Sequence, residues 1–410
     1  MKSQNTYENL TTFTIKNGVE DYENHVNGLY RDGFKITKYR NNYEEVLPKK
    51  YIETIQSIKY EKIDEKVFIN LYNHYSQILK KFENEITFDI YIKVTRLIKV
   101  IEAEEMTSLK CCKWLYALNF RVKSKKNNDF YERGFGESNN IKSIFGLDEQ
   151  LCQLIYLVKI KKRDYKHIDG YYPVVLDPEA TGLFIHEVIG HNLEADIWLN
   201  NTDIQREFTL GKRINNKNID VIDNPTLRNG YGSYLFDDEG TLPQKTKIIM
   251  NGKVNALMTS KNTAKILKQK STGNARSISI NYPPLVRMSN TYLSSGNDEI
   301  KDIFKNIEFG FYFKGTGDST GGLSYRLCFR EVYLIENGAI TDLVLPLEMS
   351  GNSRETFSEI ELVANDFQIY GGGDGGCGKS NQWPLAVSSG GPHIKLKKAF
   401  IKSIVKEENL

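Results

Sequence analysis

The stretch that organises the chain is Phe184-Ile185-His186-Glu187-Val188-Ile189-Gly190-His191-Asn192-Leu193-Glu194-Ala195-Asp196. It holds two of the six histidines, with Glu187 beside the first. Two neutral imidazoles can hold a divalent metal, and a neighbouring carboxylate can take a proton from water that the metal activates. That is the minimal kit for metal-assisted hydrolysis. The familiar zinc-protease helix spaces its histidines at i and i+4, on one face. Here the second lies at i+5, which on an ideal α-helix sets the imidazoles roughly 140° apart, at about 100° per residue. Both reach one ion only if the helix widens for a turn or breaks. A single π-turn aligns i with i+5, and Gly190 makes a local distortion cheaper. The competing reading is a regular buried helix with a solvated His-Glu pair.

Outward from this stretch, the sequence divides near residue 168. In the first part Val67 to Phe82 carries apolar residues at helical spacing. Ile86 to Val94 and Trp114 to Val122 alternate apolar with polar and predict strands, with a charged turn over Lys123 to Asp129. Ile141 to Ile160 predicts one helix, and residues 1 to about 60 are polar and Tyr-rich without a clear period. In the second part Tyr172 to Leu176 predicts a strand leading into the histidine helix, and Asp298 to Ile307 another helix. Asn251-Gly252 and Asn337-Gly338, each between apolar runs, predict hairpins. The expected fold class is α+β: a small N-terminal α/β domain over 1–168, then a β-rich, mostly antiparallel domain over 169–410 that carries the metal-motif helix.

Composition bounds the class. The chain has 410 residues, 40% hydrophobic and 26% charged, with a net charge of +3 from 55 basic and 52 acidic residues. The balance gives no reason to expect nucleic acid or an anionic membrane as partner. The sequence has no apolar leader at its start and no run long enough to span a bilayer. The five scattered cysteines predict reduced thiols and a cytoplasmic protein.

Two histidines leave a zinc site short of a protein ligand. Glu194 and Asp196 are candidates from the same stretch. Cys377 is the other, in Tyr370-Gly371-Gly372-Gly373-Asp374-Gly375-Gly376-Cys377-Gly378-Lys379-Ser380. A thiol on so glycine-rich a loop is poor core material. The remaining histidines, His25, His74, His167 and His393, read as surface or structural. Cys111 and Cys112 read as half-buried strand residues, and Cys152 and Cys328 as core. The loop Gly315 to Gly322 reads as a connection that could line a cleft, and Asn274 and Arg276 could orient a substrate carbonyl.

The core His186-Glu187-x-x-x-His191-x-Leu193-Glu194-x-Asp196 resembles the zinc peptidases of the TldD/PmbA family, in particular the catalytic TldD type. Other motifs agree in order: Asp237-Asp238-Glu239-Gly240, Thr272-Gly273-Asn274-Ala275-Arg276, Arg287-Met288-Ser289-Asn290-Thr291 and Gly376-Cys377-Gly378-Lys379. The resemblance covers roughly residues 170 to 400. It implies zinc held by His186, His191 and Cys377, with Glu187 as general base. Glu194 and Asp196 then stand behind the histidines and orient them. It also implies an unstructured, extended peptide or peptide precursor as substrate, and either a homodimer or a heterodimer with a TldE/PmbA-like paralogue. The chain departs from the family before the histidines, where it is short and the family's early Gly- and Ser-rich strands are not evident. The alternative is a non-catalytic peptide-binding or scaffold subunit of such a complex, although a subunit of that kind should have lost part of the metal set.

Overall fold

The computed structural model describes residues 4–29, 35–36, 64–103, 106–127, 129–164, 168–373 and 375–404. The fold is α+β. Its first layer is a six-stranded sheet in the order 35–36, 19–29, 4–16, 86–103, 106–124, 130–138, every pairing antiparallel. Helix Glu65–Lys80 lays Phe68, Leu71, Tyr75 and Leu79 on one face of this sheet, three and four residues apart as the sequence predicts. These meet Ile90, Ile92 and Phe120 in one apolar core.

The single helix expected over 141–160 is two pieces. A 3-10 turn covers Ile141–Ile144, and helix Asp148–Lys159 follows. Gly146 between them has φ +68°, in the left-handed region. The Tyr75 hydroxyl fixes the break: it donates to Ile144 O at 3.0 Å and accepts from Leu147 N at 3.2 Å. Cys152 consequently faces outward and is exposed, not in the core.

Among the described residues the second half holds two further large sheets and two two-stranded ones. The larger centres on strand Gly170–Leu176, which runs antiparallel to 394–403 on one side and parallel to 309–314 on the other. The hairpin of 331–336 with 339–343 extends it, and strand Ser319–Thr320 closes its opposite edge. The smaller sheet runs in the order 253–254, 246–250, 221–223, 290–293, 388–391, 368–371. The predicted Asn251-Gly252 hairpin is present, but its second strand ends at Val254. The expected helix over 298–307 shrinks to Ile300–Ile303, and Asn306 turns left-handed at φ 58°.

Helix Pro178–Ile185 lies between these two sheets. Asp177 caps it, accepting from Ala180 N at 2.7 Å, and Pro178 opens the first turn. A Cβ on Gly182 would come within 2.4 Å of Gly390 N, so only glycine allows this approach to the smaller sheet. On the other side Phe184 meets Tyr325 edge-on at 6.3 Å. The outer face of the N-terminal sheet leans on this half. Gly134 and Gly136 there pack backbone to backbone against Gly373 and Gly372. Among the described residues no helix is long and apolar enough to cross a membrane.

Candidate metal centre

The helix does not stay regular. After Ile185 it widens into a π-turn over His186–Gly190, in which His191 N donates to His186 O. A 3-10 turn over His191–Leu193 follows. This is the distortion that the i,i+5 spacing demands, and it brings the imidazoles face to edge with centroids 5.0 Å apart. Gly190 also leaves room for Met288: a Cβ there would fall 2.0 Å from Met288 Sδ and push that side chain aside.

Cys377 arrives from a separate hairpin, Cys377–Lys379 with Gln382–Leu385. Its Sγ lies 3.8 Å from His191 Nε2. The donor atoms of His186, His191 and Cys377 all lie within 4.8 Å of one another. Two imidazole nitrogens and one sulfur, largely buried, suit zinc and not a hard cation such as magnesium or calcium. Burial opposes ionisation of the thiol, but His186 and His191 outweigh it and hold Cys377 well below the usual thiol range. Burial likewise opposes charge on His191, while Glu194 and Cys377 raise it.

Behind the trio stands a dense polar support. Glu194 is fully buried. One of its oxygens lies 3.2 Å from His191 Nδ1 and 3.0 Å from Lys379 Nζ, and the other accepts from Met288 N at 3.2 Å. A carboxylate only accepts, so Nδ1 carries the proton and Nε2 keeps a free lone pair that can bind a metal. Burial would raise the Glu194 carboxyl, yet His191 and Lys379 draw it down to about 2. Of the two carboxylates expected to orient the imidazoles, only Glu194 makes such a contact. Asp196 reaches Lys379 at 2.7 Å and Val286 N at 3.3 Å.

Sequence reasoning gave no role to Lys379 or Arg287. Arg287 is fully buried and donates to Cys377 O at 2.7 Å. The available signal was alternation: on a strand, Lys379 shares a side with Cys377.

Glu187 opens onto a cleft of about 910 Å³, together with the histidines, Cys377, Tyr370 and Trp383. Its Oε2 lies 3.8 Å from His191 Nε2. The Gly315 to Gly322 loop, read as a connection that could line a cleft, lines this one from Thr316 to Gly322. Gly322 N donates to Glu187 O at 3.3 Å, and a Cβ on Gly321 would fall 2.4 Å from Glu187 Oε2. Asn274 and Arg276 are not in this cleft. Asn274 donates to Asp223 at 2.8 Å, and Arg276 donates to Met288 O and Ala386 O at 2.6 and 2.7 Å. His74 pairs with Asp148 and His393 with Asp366, away from the centre. His167 and the side chain of His25 lie outside the described residues.

Residues 169–403 match the PmbA/TldA metallopeptidase C-terminal domain, and the chain belongs to the PmbA/TldD family. A metalloprotease of Synechocystis is 31% identical over 342 residues, 81% of this chain and 72% of that protein. The zinc metalloprotease TldD homologue of Saccharolobus solfataricus is 36% identical over 239 residues, 58% of this chain and 52% of that protein. The match thus spans about half the length of the latter. TldE from Thermococcus kodakarensis superposes with a TM-score of 0.72 over 98% of this chain and 96% of its own, at 12% identity. At that identity the likeness is one of fold, and it extends through the N-terminal half where no family motif was evident.

Proposed function

We propose that this chain is a zinc-dependent peptidase, with His186, His191 and Cys377 as the metal ligands. The observation that carries the reading is the convergence of three donors, from a π-turn and a distant hairpin, beside a carboxylate in one cleft. When bound, zinc supplies Lewis acidity toward a carbonyl and makes nearby water more acidic. Glu187 would take a proton from the attacking water as its oxygen bonds to the peptide carbonyl carbon, and would return it to the amine nitrogen as the C–N bond breaks. Glu194 holds the His191 tautomer, and Lys379 holds Glu194. The edge strand Ser319–Thr320, which lines the cleft, offers main-chain groups to an extended peptide adding alongside it. An unfolded chain fits such an edge and a folded domain does not.

We further read 1–168 and 169–410 as separate domains, place the protein in the cytoplasm from its free thiols, and expect it to pair with a second copy or with a TldE-like paralogue. Metal analysis of the purified protein, with cleavage of an unfolded peptide in the presence and absence of a chelator, tests the central reading. Zinc at one equivalent and chelator-sensitive cleavage are expected. Peptide binding with cleavage absent or indifferent to chelator would mark a scaffold subunit instead.

A further inference from the structure

A second cavity, of about 750 Å³, lies between the outer face of the N-terminal sheet and the C-terminal half. Leu97 and Lys99 stand in its sheet wall opposite Lys113 and Cys111 of the neighbouring strand. Side chains alternate along these strands, so one face feeds the helix-covered core and the other this chamber. The facing wall brings Tyr231, Tyr234 and Arg276. Leu235 and Leu242, 65% and 71% exposed, border its opening. Gly375 lines both this chamber and the metal cleft, and a Cβ there would meet nothing within 4 Å. The two spaces therefore adjoin across open backbone.

Among the described residues the charges in the chamber do not balance. Lys113 Nζ donates to Tyr231 O at 3.2 Å and Ser233 O at 2.7 Å. An ammonium has three donors, and the described residues offer no further acceptor for the third. Arg276 and Lys99 stand near it. Of the two carboxylates in the lining, Asp238 is bound to Lys99 and Ser277. Asp237 accepts three backbone amides, and burial pushes its carboxyl up to about 7. Burial first and then Arg276 draw the Lys113 ammonium down to about 7. The lining is aromatic and apolar, with a surplus of positive charge at its base, which is the chemistry that receives an apolar group carrying an anion.

We propose that this chamber binds the apolar, carboxylate-bearing portion of the peptide substrate, with Lys113 receiving the carboxylate. The proposal rests on the peptidase reading. The carboxylate belongs either to the free end of the peptide or to an acidic side chain near it, and three probes separate the sources. Full-length Glu187→Gln protein loaded with zinc is titrated with fluorescent peptides ending in Phe as the free acid, in Phe amide, and in Phe amide with a Glu before it. Tighter binding of the free acid assigns the terminus, and tighter binding of the Glu peptide assigns the side chain. Lys113→Met then weakens the preferred peptide by about 10–100-fold, as expected for a hydrogen bond to a charged group, and brings it level with the plain amide. Equal affinity for all three peptides, or an equal loss for all three in Lys113→Met, overturns the proposal.

Because Lys113→Met could also loosen the contact with Tyr231 and Ser233, a second reading uses Lys113 intact. The groups facing it are Arg276, Cys111, Lys99 and Asp238. Bound carboxylate raises the ammonium above its free value of about 7. Affinity for the acidic peptide is therefore flat below pH 7 and falls as pH rises above it, while the plain amide stays flat. An acid-over-amide preference without that fall also overturns the assignment. Chelator-sensitive turnover by protein with Glu187 intact, alongside such a failure, sinks only the chamber. Zinc-free protein sinks the peptidase reading.

Discussion

In the N-terminal layer, strands Ile86–Ala103 and Met106–Ser124 pair over most of their length, and the buried groups beneath them are Leu79, Ile90, Phe120 and Leu151. Around the metal centre the strands are two to four residues long: Leu285–Val286, Cys377–Lys379, Asn290–Leu293. The fully buried groups there include Asp223, Glu194, Asn274 and Arg287. Asp223 alone accepts from Asn274, Ser289 N and Oγ, and Thr291 at 2.8–2.9 Å. Apolar contact is non-directional and tolerates repacking. Hydrogen bonds fix angle and distance, and a set of metal donors must be held to about 0.5 Å. The first region holds a shape, and the second holds positions.

Glu187→Gln probes the second region without touching its supports. Turnover should fall by about 10²–10⁴-fold, with zinc content and the unfolding midpoint those of the wild type. Release of zinc together with activity would make Glu187 a ligand and not a base. Leu79→Ala probes the first region. It empties a fully buried position and should cost about 2–5 kcal/mol in denaturant unfolding. The zinc affinity of the remaining folded protein should be unchanged, and a parallel loss of zinc would erase the distinction between the two regions.

A smaller effect is expected from Lys379→Met, which removes a contact one step behind a ligand. Zinc affinity, read by competition with a chelator, should drop about 10–100-fold. Combined with Glu194→Gln, the losses should be less than additive, because Lys379 acts through Glu194; additive losses would assign Lys379 to the hairpin alone. Smallest is Gly18→Ala, at φ +82° in the first hairpin. A Cβ there meets only Tyr72 at ordinary contact distance, so the cost is conformational, about 1–2 kcal/mol. A loss above that range would mean that the turn carries packing as well.

That turn marks a limit of reading. Asn17-Gly18, Asn251-Gly252 and Asn337-Gly338 all adopt two successive positive φ values, yet only the last two stand between apolar runs. Before Asn17, Phe13 and Ile15 alternate with Thr12 and Thr14, but after Gly18 only Val19 precedes Glu20 and Asp21, so the Asn-Gly signal has an apolar strand on one side alone. For the Gly315 to Gly322 loop the sequence offered a connection that could line a cleft, without showing which residue it would meet there. Gly321 is needed because Glu187 lies against it, a neighbour 134 positions away in the chain.

The sequence alone determined the α+β class, a helix placed at 67–82 and found at 65–80, two of the hairpins, and the set His186, Glu187, His191 and Cys377 as the residues to watch. Each follows from a local period, a turn dipeptide or a short motif, and needs no distant partner. The tertiary structure decided the rest. Whether the helix widened could be settled only by where Met288 and Glu194 meet it. The assignment of Lys379 and Arg287 to the centre, and the placing of Asn274 and Arg276 outside its cleft, depended on hydrogen-bond partners 12 to 185 positions away. Such partners have no period along the chain, because what selects them is the need of each buried polar group for a donor or acceptor within reach.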